Sequence, residues 1–251
     1  MLHIWMGRAR TGKSERVLKK LAELGDSSQQ ILLVPEHASH VAEMDVCRVC
    51  GDAASRHAEV LTFKLLATRV LGICGGSAEV TLDSGGKLLT LQRALTELAP
   101  ALKVYRRASQ RAAFLESLLA VMEELQAYAV EPETLAEKVE DLEGESGDKL
   151  RDIALLYGVY LARLHAPGRD AREALQKLEE NLEASEYIDN KDVFLDGFSY
   201  FTGRELRILR ILLRRSKSVT VTLLGDTDDR ELFSASLRVR EQLFTLARDA
   251  G

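Results

Sequence analysis

Residues 7–14 read GRARTGKS, which matches G-x-x-x-x-G-K-[ST] at every fixed position. The pattern encodes a phosphate cradle made of Gly7, Arg8, Ala9, Arg10, Thr11, Gly12, Lys13 and Ser14. Backbone N–H groups of residues 9–14 can curl around a phosphate at a helix N-terminus, where the positive end of the peptide dipoles favours an anion. Lys13 would neutralise the β- and γ-phosphates of ATP, and the Ser14 hydroxyl would ligate Mg²⁺. A short match can arise by chance, so context decides, and a strand before the loop and a helix after it are the context required. Arg10 is bulky for its place in such a loop, and its side chain is expected to point outward.

Hydrolysis needs more than a cradle. A second strand should end in an acid that holds Mg²⁺ through water, with a neighbouring acid to orient the attacking water. VFLDGFSYF supplies Asp196 at a strand end, but Gly197 follows and cannot act as a base. The magnesium half of a site is present and the catalytic half is missing, unless Asp196 is an ordinary strand-terminal turn residue. Asp226, in the strand end LGDTDD, is placed either near the phosphates or in a simple turn. Thr62, Phe63 and Lys64 join a strand end to a helix start; a ring, a hydroxyl and a cation together can stack a base and hold a nucleic-acid phosphate. Lys103, Arg106, Arg107 and Arg111 form one basic cluster. Arg204, Arg207, Arg210 and Arg214 share one helix face and form another. Either could meet a phosphate backbone, although a solvated face is the better reading of both. Cys47 and Cys50 form a C-x-x-C downstream of His37 and His40. Inside a helix and without a second such pair, they read as buried structural thiols rather than metal ligands. His57 and His165 have no neighbours that suggest a nucleophile.

The elements that must position these residues follow from hydrophobic periodicity. Apolar runs at 2–6, 31–34 and 59–63 alternate with helical spacing at 14–24, through Val41 and Met44 to Val49, and from Leu66 to Leu71. The same alternation returns with strands at 192–195 and 219–224 and helices at 205–213 and 231–250. Strands alternating with helices predict an α/β fold with a parallel sheet. Residues 86–181 instead carry continuous helical spacing punctuated by Pro100, Pro132, Gly144, Ser146, Gly147 and Pro167. The expected organisation is a discontinuous α/β domain, 1–85 and 188–251, interrupted by an all-helical subdomain, 86–187, with linkers near 82–86 and 183–191.

Composition narrows the function classes. A net charge of -5 over 251 residues offers no general attraction to nucleic acid, so any DNA contact must be local. No apolar run is long enough to span a membrane. The first residues are not expected to be a secretory signal, because Arg8, Arg10 and Lys13 follow the apolar stretch instead of preceding it. Three cysteines argue against a disulfide framework and fit a reducing, cytoplasmic setting.

The order GRARTGKS, ILLVPEHASHVAEM, VLTFKLLATRVLG, VFLDGFSYFTGRELRIL and VTVTLLGD resembles the N-terminal part of the AddB family, the B subunit of the bacterial ATP-dependent helicase/deoxyribonuclease. PEHAS and LDGFSYFTGRE carry the resemblance most specifically, and it extends through KLRDIALLYGVYLARL. It implies a P-loop NTPase fold of the superfamily 1 helicase type, with residues 7–14 as motif I, 31–44 as motif Ia, 60–71 as a DNA-contacting motif, 193–199 as motif II and 222–229 as motif III. An active member carries Asp-Glu at motif II, where this chain has Asp196-Gly197, and a Gln in motif III near the positions of Asp228 and Asp229. The resemblance therefore implies a module that binds ATP and Mg²⁺ without hydrolysis or translocation. Its partners would be the A subunit of the helicase/nuclease heterodimer and single-stranded DNA. The DNA would be held weakly by this chain alone, with a role in scanning for a recognition sequence during double-strand-break repair. The family's nuclease domain and iron–sulfur cluster have no counterpart in this sequence, which is expected to cover the first domain and its insertion. Two other classes fit the residues: an active small P-loop NTPase using Asp226 or Asp228 as base, and a scaffold module with a vestigial loop.

Overall fold

The computed structural model describes residues 1–51, 53–75, 83–106, 112–164, 174–226, 229 and 231–250. Arg107, Arg111, His165, Pro167 and Asp228 lie outside the described residues. The described chain is α/β, with a five-stranded sheet and ten α-helices. It divides into two compact units, Met1–Ser77 with Ala174–Gly251, and Ala78–Glu173.

The first unit carries the sheet. Its strands are β1 (Leu2–Gly7), β2 (Gln30–Leu33), β3 (Ala58–Leu61), β4 (Asp192–Leu195) and β5 (Ser218–Leu224), in the order β1-β5-β4-β2-β3 with every pair parallel. Helices α1 (Lys13–Leu24), α2 (Ser39–Cys50), α3 (Phe63–Cys74), α8 (Ala174–Leu182), α9 (Gly203–Arg215) and α10 (Ser234–Asp249) complete it. Successive strand residues face opposite ways, and the core shows it. Leu32, Val34 and Phe194 pack with Val17 and Leu21 of α1 and Val46 of α2. Ile31, Leu33, Val193 and Leu195 pack instead with Leu66 and Val70 of α3, Leu178 of α8, Leu212 of α9 and Leu243 of α10. Both faces are covered, which is why β2 and β4 are buried at every position.

Helix starts are set by local chemistry. Thr202 accepts the N–H of Glu205 while Glu205 accepts the N–H of Thr202, a complete capping box for α9. Thr62 caps α3 by accepting the N–H of Leu65 at 3.2 Å. Because Thr62 serves as the cap, β3 ends at Leu61 and Phe63 is the first helical residue, earlier than the strand expected to run to 63.

The second unit contains α4 (Ser84–Leu98), α5 (Ala112–Ala127), α6 (Pro132–Glu140) and α7 (Gly144–Leu164). Leu91, Leu95, Leu118, Met122, Leu156 and Tyr160 form its core. Asp152 accepts the backbone N–H groups of Lys103, Val104 and Tyr105 at 3.0, 2.8 and 3.0 Å and so fixes the chain that follows α4. The boundary drawn at 187 from composition needs correction. Leu178 and Leu182 of α8 belong to the core of the sheet-bearing unit, and their amphipathic spacing does not reveal which core receives them. Among the described residues, no helix is long and apolar enough to cross a membrane.

A polar knot sits at the start of β4. The Asp192 carboxylate accepts from the Ser28 hydroxyl, from the Ser218 hydroxyl at 2.6 Å and from Lys217 Nζ at 3.1 Å. Burial alone would raise its pKa, but the hydrogen bonds from Ser218, Ser28 and Lys217 and the Lys217 charge outweigh burial and hold it below the ordinary 3.8. A carboxyl depressed in the folded state stabilises the fold above its unfolded pKa and loses that contribution as pH falls through the folded value. Asp192→Asn is expected to cost about 1–3 kcal/mol at neutral pH. It should also flatten the loss of urea stability on acidification below about pH 4, as read from denaturation midpoints at a series of pH values.

Candidate functional site

β1 delivers the chain to Gly7, and α1 begins at Lys13. Between them Arg10 has φ 60° and Gly12 φ 81°, so the backbone turns twice through the left-handed region. Glycine adopts that region at no steric cost, whereas Arg10 does so under mild strain, with its side chain exposed. The Lys13 ammonium folds back into the curve and donates to the carbonyl oxygens of Gly7 and Arg8, both at 2.7 Å. The Thr11 hydroxyl donates to the same Arg8 oxygen at 2.8 Å. No side chain caps α1, so its first N–H groups and the positive end of its dipole open onto the loop. Ser14 lies in the first turn. A Cβ on Gly7 would lie 2.6 Å from Thr11 Oγ1, so glycine is what admits the Thr11 side chain.

Two neighbouring strands end beside this loop. Gly7 is level with Leu224 of β5, and Gly225 N donates to Gly7 O at 3.1 Å. One residue on, Arg8 Nε donates to Asp226 Oδ2 at 2.6 Å. On the other side of β5, Asp196 follows the last residue of β4, and its Oδ1 accepts the Thr222 hydroxyl. The second oxygen, Oδ2, takes no hydrogen bond among the described residues. Gly197 has φ 83°, again left-handed. The loops after β1, β5 and β4 thus share the carboxyl edge of the sheet, where open parallel sheets receive ligands. Thr222 and the Arg8–Asp226 pairing were not found from sequence. Thr222 reads there as one residue of an ordinary buried strand, and the pairing spans 218 positions.

Other candidates stand apart. β3 is four inter-strand steps from β1, roughly 19 Å, so Thr62, Phe63 and Lys64 do not share a phosphate with the loop. The Thr62 hydroxyl is taken by the α3 cap. Phe63 is 5% exposed, its ring edge-on to Phe198 with centroids 5.6 Å apart, and Phe198 stacks on Phe201 at 5.2 Å. Phe63 is therefore a core residue rather than an open stacking platform. Lys64 is exposed, and so is Tyr200, 64% accessible in the loop after β4 and not singled out from sequence.

The arginine row on α9 faces acids. Arg204 and Arg207 meet Glu179 at 2.9 and 3.4 Å, and Arg214 meets Glu183 at 2.6 Å. Three of the four arginines are thus paired with glutamates in or just past α8, while Arg210 is exposed. Lys103 likewise pairs with Asp148 at 2.9 Å. Cys47 is exposed and Cys50 half-buried, which corrects the expectation of two buried thiols. Burial and the neighbouring Cys47 push the Cys50 thiol upward. His57 is buried, with its Nδ1 3.4 Å from Asp26 Oδ1.

Comparison with known proteins decides the family. The family described as ADDB, N-terminal, matches residues 4–251. The chain belongs to this family. Among curated relatives, the B subunit of the ATP-dependent helicase/deoxyribonuclease of Thermoanaerobacter sp. (strain X514) is 33% identical over 249 residues, covering 96% of this chain and 22% of the relative. The protein of the same name from Clostridioides difficile (strain 630) is 31% identical over 232 residues, covering 90% and 20%. That from Clostridium perfringens (strain 13 / Type A) is 30% identical over 259 residues, covering 100% and 22%. The chain thus spans about a fifth of the length of these AddB relatives.

The tight approach of Thr11 to Gly7 gives a test of the loop geometry in this AddB N-terminal region. Gly7→Ala and Thr11→Ala should each destabilise the chain, the second by about 0.5–1.5 kcal/mol. The double variant should be more stable than the sum of the two by about 1 kcal/mol, because removing the hydroxyl makes room for the new methyl group. Thermal or urea unfolding of the four proteins reads this out directly.

Proposed function

We propose that this chain is the nucleotide-binding N-terminal portion of the B subunit of a bacterial ATP-dependent helicase/deoxyribonuclease, and that it holds Mg·ATP without hydrolysing it. The observation that carries the reading is a conjunction at one sheet edge. An uncapped helix N-terminus and an inward-turned Lys13 stand on one strand, and an acid followed by a left-handed glycine ends the strand two places away.

The residues present fit the ligand. Lys13 is already satisfied by two carbonyl oxygens and can exchange them for phosphate oxygens without leaving the loop. The N–H groups of Lys13 and Ser14 supply neutral donors. The Ser14 hydroxyl and, through water, Asp196 would hold Mg²⁺, whose charge offsets that of the phosphates. The Thr222 hydroxyl fixes the Asp196 carboxylate and leaves its second oxygen for that water.

Among the described residues, no acid directly follows Asp196 to serve as general base. Gly197 offers no side chain, and its φ of 83° is one that a glutamate would adopt only under strain. Asp226, another acid after β5, is engaged by Arg8, which makes it a poor base for an active NTPase.

The remaining roles follow from family membership. The partner would be the A subunit of the heterodimer, the process double-strand-break repair and recombination, and the setting the cytoplasm. Single-stranded DNA would be a weak ligand of this chain alone, met by exposed Lys64 and Tyr200. A net charge of -5 makes that contact salt-sensitive.

Calorimetric titration of Mg·ATP into the wild-type chain and Lys13→Ala, with phosphate release followed in parallel, tests the proposal. Binding weakened about tenfold or more in the variant, with no release by either protein, is the expected result. DNA-stimulated turnover by the wild type would establish an active NTPase instead. Absence of binding would make the loop vestigial.

A further inference from the structure

Arg8 is the hub of the loop. Its side chain reaches Asp226 at 2.6 Å, while its carbonyl oxygen accepts from both Lys13 Nζ and Thr11 Oγ1. A backbone movement at Arg8 therefore disturbs the Asp226, Lys13 and Thr11 contacts together. A guanidinium binds carboxylate and phosphate oxygens through the same planar fork, so the Asp226 carboxylate occupies Arg8 as a phosphate would. The pair is partly open to water, with the Arg8 side chain 58% and the Asp226 side chain 24% exposed, and ion pairs of that kind are weak enough to exchange. Asp226 also lies just past β5, on the chain leading to α10.

We propose that the Arg8–Asp226 pair is a latch: it restrains the phosphate loop, and an incoming polyphosphate opens it by taking Arg8 from Asp226. The exchange half rests on the nucleotide-binding reading given above. The restraint of the loop by Asp226 does not.

Backbone amide order parameters for residues 8–13, measured by NMR without ligand on the wild type, Asp226→Asn and Arg8→Gln, test the restraint. Mg·ATP titrations of the same proteins test the exchange, with thermal unfolding as a check that all three are folded. The latch predicts loop order parameters that fall toward the flexible range, below about 0.6, in both variants, with β1 and the body of α1 unchanged. It predicts Mg·ATP affinity raised about two- to fivefold in Asp226→Asn, the range that a partly exposed ion pair can supply, and not raised in Arg8→Gln, which also loses a phosphate-binding cation. Unchanged loop order in Asp226→Asn overturns the latch whatever the nucleotide result. Loosened loops with unchanged or weakened Mg·ATP binding in Asp226→Asn overturn the exchange. Failure of all three proteins to bind Mg·ATP overturns the nucleotide-binding reading and the exchange with it.

Discussion

β5 hydrogen-bonds on both sides, to β1 from the start of the chain and to β4 from beyond the helical unit. That double pairing is the constraint on which the site depends. It sets Gly7 level with Leu224 and Leu195 level with Val221, so the loops after β1, β5 and β4 emerge along one edge. Asp196 becomes a neighbour of Thr222, and Asp226 a neighbour of Arg8, only through this register. A slip of one residue would turn every side chain of β5 to the opposite face and break both contacts. The apolar residues of β5 and β4 therefore do two things: they fill the cores on both sheet faces, and they fix the spacing of the polar groups at the edge.

Within that register the loop is closed by its own atoms. A lysine ammonium, a threonine hydroxyl and an arginine side chain satisfy the carbonyls and carboxylate around them. In the proposed reading, ligand would bind by an exchange of partners of similar strength, not by a gain of wholly new contacts. Such exchange gives modest affinity that is sensitive to each partner. In the proposed reading, Gly197 stands where a side chain would be needed to convert holding into turnover.

Much of this was legible in the sequence because it is local. GRARTGKS is contiguous, the strands are short apolar runs, and Asp196 follows one of them directly. The remainder depended on which surface meets which. Phe63 beside Lys64 reads the same whether its ring faces solvent or, as it does, packs edge-on against Phe198. The arginine row of α9 has the spacing of a free basic face, but its partners are Glu179 and Glu183, in or just past a helix that composition assigned to the other unit. Leu178 and Leu182 have the amphipathic spacing of the neighbouring helices, so periodicity alone could not tell which core they enter. Asp226 was recognisable as an acid at a strand end; that Arg8 holds it was not.

The central claim is that the curve between β1 and α1 holds a nucleotide in a site that cannot turn it over. The most direct measurement is a crystal structure of the chain grown with Mg²⁺ and ATP itself. The account predicts an intact triphosphate at the N-terminus of α1, with Lys13 Nζ moved from the Gly7 and Arg8 carbonyls onto phosphate oxygens. A cleaved nucleotide, a nucleotide bound elsewhere, or an empty loop with Lys13 still on those carbonyls at saturating ATP would contradict it.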